Sequence, residues 1–303
     1  MTGSGDPGHP GDPGGYGPGG GSAPDPLDDY RALNDPERRR QVERRGGYFV
    51  VEGLLALEAL LASRYPVRSV LATERRADRV RTLVGDRAPV LVRSLDEVAG
   101  VAGFDVHRGV LAAADRLPPA GVAEAAGASE LVVVTEGLGD HENLGALFRN
   151  AAALGAGAVL LDPTTADPLY RRSVRVSLGH VLRVPWARLP PLPGGLAELA
   201  ALGFETAALT PAPAAVTIDD YAADVAARRR ATAAADRPDA AAQGGRAEGA
   251  APRVALVVGA EGPGLTPATL AAADRRVRIA LAPEVDSLNV ATAAAIALHR
   301  LAG

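Results

Sequence analysis

The 303-residue chain carries 32 basic residues, every one of them Arg, against 36 acidic ones, a formal net charge of −4, and it contains no cysteine. Without cysteine there are no disulfides, thiolate nucleophiles or Cys-containing zinc motifs, and without lysine there is no P-loop or Schiff-base lysine, which excludes most kinases, P-loop NTPases and pyridoxal enzymes. No apolar run reaches the ~18–20 residues of a membrane span, and the Gly/Pro/Asp-rich start has neither the basic nor the apolar part of a signal peptide, so a cytoplasmic location is expected.

In chain order, residues 1–28 are almost entirely Gly, Pro, Asp and Ser and are expected to form a disordered tail. Residues 29–118 read as a small α/β domain, with strands at 48–51, 67–72, 90–92 and 110–114 and a helix at 54–62. Its segment 31–116 holds sixteen Arg against twelve Asp plus Glu, a basic balance compatible with a polyanionic partner. Residues 128–303 alternate between short apolar runs and helical patterns. Strands are expected at 131–135, 158–161, 181–184, 205–209, 254–258 and 276–281, and helices at 144–154, 170–178, 196–202, 267–272 and 289–301. Such alternation predicts an α/β fold with a mostly parallel sheet and helices on both faces. Residues 228–252, rich in Ala, Arg, Gly and Asp, read as a flexible insertion, although the Ala-Arg run at 222–232 favours a short helix.

Ligands of parallel sheets sit beyond the carboxyl ends of the strands, and three loops there carry chemistry-bearing residues. The first is E-G-L-G-D-H-E-N-L-G-A-L-F-R-N at 136–150, in which Asn143 is placed as an N-cap and Arg149 lies six residues further along the same helix. An ordinary cap followed by a solvated Arg is the plain alternative. The second is V-G-A-E-G-P-G-L at 258–265, where glycines allow close backbone approach and Glu261 supplies one carboxylate. It has neither the Gly-Lys-Ser/Thr ending of a P-loop nor the spacing of a dinucleotide fingerprint. The third is D-S-L-N-V at 286–290, where Ser287 and Asn289 open the last helix and could equally be simple caps. The five histidines have no metal-like spacing, so no metal site is expected. Trp186 and Tyr170 read as packing residues, with base stacking the alternative.

Taken together and in this order, N-L-G-A-L-F-R-N-A at 143–151, V-V-G-A-E-G-P-G-L at 257–265, and V-R-I with S-L-N-V at 277–279 and 287–290 resemble the three signature motifs of the SpoU/TrmH branch of the SPOUT methyltransferases. The resemblance covers about 131–303. A-D-P-L-Y-R-R-S-V-R-V-S at 166–177 is similar to the central part of a subgroup acting on tRNA or ribosomal RNA. Residues 31–116, with H-R-G at 107–109, are similar to the ribosomal-protein-like substrate-binding domain that often precedes the catalytic one.

The resemblance implies a C-terminal trefoil knot, a feature too rare for composition to suggest. It also implies an S-adenosylmethionine-dependent RNA 2′-O-ribose methyltransferase acting as a homodimer on rRNA or tRNA. On the family's pattern the cofactor contacts fall on Gly259, Gly262, Gly264, Ile279 and Leu288. The residue tied to activating the ribose hydroxyl falls on Arg149, accompanied by Asn143, Glu261, Ser287 and Asn289. The chain departs from the usual Pro-Met after the third-motif Ile, having Ala280 and Leu281 instead. Two rival functions remain open on sequence: a non-catalytic RNA-binding relative, and a base methyltransferase of the same knotted fold.

Overall fold

The structure, a computed structural model, describes residues 25–35, 37, 47–235 and 251–302. Most of the expected tail (1–24) therefore lies outside the described residues. Its end does not: residues 25–27 form a turn leading into a 3-10 turn, Asp28–Tyr30, and the Tyr30 hydroxyl is buried against Ser69 and the Ala113 N–H.

The first sheet has strands β1 (Tyr48–Glu52), β2 (Val67–Thr73), β3 (Val90–Arg93) and β4 (Val110–Asp115) in the order β1-β4-β2-β3. The β1–β4 and β2–β4 pairs are antiparallel and β2–β3 is parallel. Side chains alternate across it, as the period of two demands. Tyr48, Val50, Leu71 and Leu111 face the Leu95–Ala102 helix and Tyr30, whereas Phe49, Val51, Val70 and Ala72 face the Leu54–Leu61 and Ala77–Val84 helices.

The second sheet has β5 (Leu131–Glu136), β6 (Ala158–Leu161), β7 (Trp186–Arg188), β8 (Phe204–Leu209), β9 (Val216–Thr217), β10 (Arg253–Gly259) and β11 (Arg275–Arg278). Their order is β7-β6-β5-β10-β8-β11-β9, and all six pairings are parallel. The continuous apolar runs of β5, β6 and β10 follow from burial on both faces. Val133, Val159, Leu161 and Leu256 pack against Leu144, Leu147 and Phe148 of the His141–Ala153 helix and against Leu298 and Leu301 of the Val290–Ala302 helix. On the other face, Val132, Val134, Leu160 and Val257 pack against the Val122–Ala126 and Gly194–Ala201 helices.

The two sheets meet along the Arg171–Val176 helix. Buried Glu52 at the end of β1 accepts a 2.8 Å ion pair from Arg171, whose guanidinium lies 3.9 Å over the Phe104 ring. Arg116 pairs with Asp167, and a Cβ on Gly179 would sit 2.4 Å from that of Ala59, so the backbones approach closely there.

Four expectations need correction. The V-L-R-V segment at 181–184 is no strand. His180–Leu182 is a 3-10 turn burying Val181 and Leu182, and the edge strand is Trp186–Arg188. Residues 228–235 are not loop but the end of the Ile218–Ala235 helix, because Ala and Arg are strong helix formers; 236–250 lie outside the described residues. Asn143 is not an N-cap. Asp140 takes that role, accepting from the N–H groups of Glu142 (2.7 Å) and Asn143 (2.8 Å). Finally, β11 ends at Arg278, leaving residues 279–289 without regular structure.

Candidate active site

The loops following β5 and β10 lie side by side because these strands pair in parallel, with Gly259 opposite Glu136. Glu136 is buried at the strand end. Its carboxylate accepts from the Thr266 N–H (2.9 Å), the Thr266 hydroxyl (2.9 Å) and the Thr269 hydroxyl (2.7 Å). Thr266 in turn caps the Pro267–Ala272 helix, so one carboxylate fixes where the glycine-rich loop ends. The loop folds back on itself. The Gly264 N–H donates to Ala260 O at 3.0 Å, and a Cβ on Gly259 would lie 2.2 Å from the Gly264 carbonyl carbon. Gly262 (φ +87°) and Gly264 (φ +69°) occupy the left-handed region that side chains rarely adopt.

On the β6 side, Asp162 organises the 162–165 turn and reaches the Gly137 N–H at 3.0 Å, bracing the first-motif loop. Burial pushes the Asp162 carboxyl up, but hydrogen bonds from Thr164, Thr165 and the Gly137 N–H outweigh it and hold the group below its ordinary value.

The third loop closes the arrangement. The Asn289 side-chain amide donates to Asn143 Oδ1 at 2.8 Å and to Glu261 Oε1 at 2.7 Å. Its own oxygen accepts from the N–H groups of Ala291 and Thr292, capping the last helix as expected. Asn150 supports that helix from below by donating to Ala291 O at 2.8 Å. One residue from each of the three loops thus meets at a single point.

Beside this junction lies a cavity of about 630 Å³, lined by Gly259, Glu261, Gly262, Gly264, Ile279, Ser287, Leu288 and Asn289 among others. Every residue expected at the cofactor lines it. Leu281, standing where the family has Met, lines it too, as do Leu209 and Thr210 at the end of β8. Neither Asn143 nor Arg149 is part of its wall. Arg149 is exposed and has no hydrogen-bond or ion-pair partner among the described residues. Six residues from Asn143, it is turned about 120° around the helix from it, which takes it away from the Asn289 junction.

Sequence reasoning missed Glu136 and Asp162 as organisers. Both are carboxylates at strand ends, where a buried acid signals a paired loop. Among the described residues no group of His, Asp and Glu has the arrangement of a metal site.

An all-parallel sheet whose strand-end loops converge on one cavity is the architecture of an α/β ligand-binding enzyme. Residues 130–299 match the SpoU rRNA Methylase family. Over 274 residues the chain is 43% identical to an uncharacterized tRNA/rRNA methyltransferase of Mycobacterium tuberculosis, covering 90% of this chain and 87% of that one. It is 30% identical over 207 residues to the 23S rRNA (guanosine-2′-O-)-methyltransferase RlmB of Ralstonia nicotianae, covering 67% of this chain and 72% of the relative. The SpoU methyltransferase AviRb from Streptomyces viridochromogenes, solved with AdoMet, shares the fold at a TM-score of 0.69 and 21% identity, covering 91% of this chain and 96% of its own. The chain belongs to the SpoU rRNA Methylase family and is an RNA methyltransferase that uses S-adenosylmethionine.

The cavity suits that donor. Its volume falls within the roughly 300–1,000 Å³ of small-ligand pockets. Leucine and isoleucine side chains offer apolar walls for a purine, glycines expose backbone polar groups, and Glu261 adds a carboxylate to the wall, which would suit a cationic ligand.

Proposed function

We propose that the chain methylates a ribose 2′-hydroxyl in ribosomal or transfer RNA. Gly259, Gly262, Gly264, Ile279 and Leu288 hold the methyl donor, and Asn143, Arg149, Glu261, Ser287 and Asn289 serve the acceptor side. The observation that carries this reading is the Asn289 amide bridging Asn143 and Glu261 at the mouth of the 630 Å³ cavity. The named ribose methyltransferase among the relatives supports the choice of acceptor.

When bound, S-adenosylmethionine supplies an electrophilic methyl group on a good leaving group, so positioning accounts for much of the acceleration. A ribose hydroxyl is a poor nucleophile and needs a base or an electrostatic partner. A guanidinium is a poor base. The role of Arg149 is to stabilise developing alkoxide or to orient a phosphate that takes the proton. The family resemblance implies a site built across a homodimer, and an exposed Arg149 outside the cavity wall of its own chain fits one copy's Arg149 facing the other's cavity. The C-terminal segment is threaded as a trefoil knot, and residues 29–118 form the RNA-binding domain.

The test incubates the enzyme and S-adenosylmethionine with total RNA from cells lacking it and maps nucleotides that become resistant to alkaline cleavage. A resistant ribose is expected; a methylated base with every ribose still cleavable would sink the reading. Arg149→Ala is expected to lower kcat by two orders of magnitude or more, on the scale of losing one electrostatic donor, with S-adenosylmethionine affinity retained. An Arg149→Lys enzyme with unchanged kcat would count against a role for the guanidinium.

A further inference from the structure

Tyr170 is the odd tyrosine of the described residues. Tyr30, Tyr48, Tyr65 and Tyr221 are 0–5% exposed, whereas Tyr170 is half-buried and belongs to none of the apolar cores. Its ring meets that of His141 edge-on, with centroids 4.4 Å apart. His141 opens the helix that carries Asn143, so the aromatic pair stands two residues from the junction of the three loops.

The charge next to it is arranged with the same asymmetry. In the Arg171–Val176 helix, Arg171 and Arg175 turn inward to Glu52. Arg172 stays outside, more than half exposed, with only a 3.7 Å contact to the equally exposed Glu142. A phosphate displaces such a solvent-screened pair readily. The platform is also rigid. A Cβ on Gly145 would lie 2.7 Å from Ser173 O and 2.9 Å from Val176 Cβ, so the two helices touch through their backbones and Tyr170 cannot drift relative to Asn143.

A half-buried aromatic outside the cores, edge-braced and flanked by an outward arginine, has the chemistry that receives unpaired RNA: base stacking on the ring and a backbone phosphate on the guanidinium. We propose that Tyr170, braced by His141, is a stacking platform for an unpaired base near the target nucleotide, and that Arg172 takes an adjoining phosphate. This rests on the reading of RNA as substrate and assigns a specificity-determining surface outside the cofactor cavity.

The test measures binding of the full chain to deproteinised ribosomal RNA and to total tRNA across a salt series, without methyl transfer. For whichever RNA the wild type binds more tightly, Tyr170→Ala is expected to weaken binding about ten-fold, the effect of losing one base–aromatic stack. Tyr170→Phe, which keeps the ring, binds as the wild type does. Arg172→Ala reduces the slope of log affinity against log salt by about 0.7–0.9, one phosphate contact. S-adenosylmethionine affinity serves as the folding control. A folded Tyr170→Ala protein with wild-type affinity, or a folded Arg172→Ala protein with the wild-type slope, would overturn the proposal. Should Tyr170→Ala fail to fold, photo-crosslinking of the wild type to 4-thiouridine-substituted RNA decides: a crosslink in the peptide containing Tyr170 supports the platform, and crosslinks confined to other peptides reject it. A product methylated on a base would end the ribose reading while leaving this binding result intact.

Discussion

Glu136 shows what a single side chain contributes. Its carboxylate gathers three donors from Thr266 and Thr269, about 130 residues away in sequence. Glu136→Ala leaves those donors without an acceptor, at about 1–3 kcal/mol for each one that stays buried, and frees the end of the glycine-rich loop. The expected result is a lowered melting temperature and markedly weaker S-adenosylmethionine binding by calorimetry. Glu136→Gln restores most of both, because the threonine hydroxyls can reverse from donor to acceptor. A folded Ala variant with wild-type affinity would show that the loop holds itself. Beyond its place as an acid at a strand end, nothing in the residues around 136 announces this role, since its partners only arrive once β10 lies beside β5. Asn289, Glu261 and Gly259 could be picked out in the sequence as candidates because each sits in a short motif between a strand and the next helix. Asn143 could be picked out as a candidate from its motif, but its reading as a cap was wrong. It is no cap, since Asp140 precedes it and takes the free N–H groups; its amide oxygen accepts from Asn289 instead.

At the scale of elements, the turn after β6 links local chemistry to acid stability. Asp162 is held below its ordinary value of 3.8 by the donors around it. A carboxyl depressed in the folded state makes the unfolded chain bind more protons in that range, so its contribution is complete above the unfolded value and is lost as pH falls through the lowered one. Thermal unfolding followed from neutral to acidic pH is expected to show a steeper fall in melting temperature for the wild type below about pH 4 than for Asp162→Asn. The variant starts lower at neutral pH, and parallel curves would argue that the turn donors do not discriminate charge. Elements with an uninterrupted apolar run longer than four residues were read correctly because burial on both sheet faces allows little else. The V-L-R-V segment at 181–184 was misread because three apolar residues around one Arg fit a buried turn as well as a strand. β9, only two residues long, carries no periodicity to read.

Across the whole molecule, the junction between the two sheets rests on charge as well as on packing. Glu52 and Arg171 expose only 5% and 13% of their side chains. Glu52→Ala strands a buried guanidinium and is expected to cost about 3–5 kcal/mol, the usual penalty for removing one partner of a buried pair, measured as a shift in the urea midpoint. An unchanged midpoint would mean that water or Asn34, which already accepts from Arg171 at 3.1 Å, replaces the carboxylate without loss. The α/β layering was legible from strand and helix alternation alone. The junction was not, since it depends on a few residues of unlike sequence meeting face to face.

The position of β10 has a consequence for how the protein is made. This strand fills the gap between β5 and β8, both of which leave the ribosome before it. Until Arg253–Gly259 is synthesised, the inner borders of those two strands have no neighbour, and unpaired strand borders are where chains stick to one another. Newly made chains are therefore most vulnerable to misassembly just before the central strand arrives, and a slow codon run or a cold shock at that stage would cost soluble yield without altering a single contact in the finished enzyme.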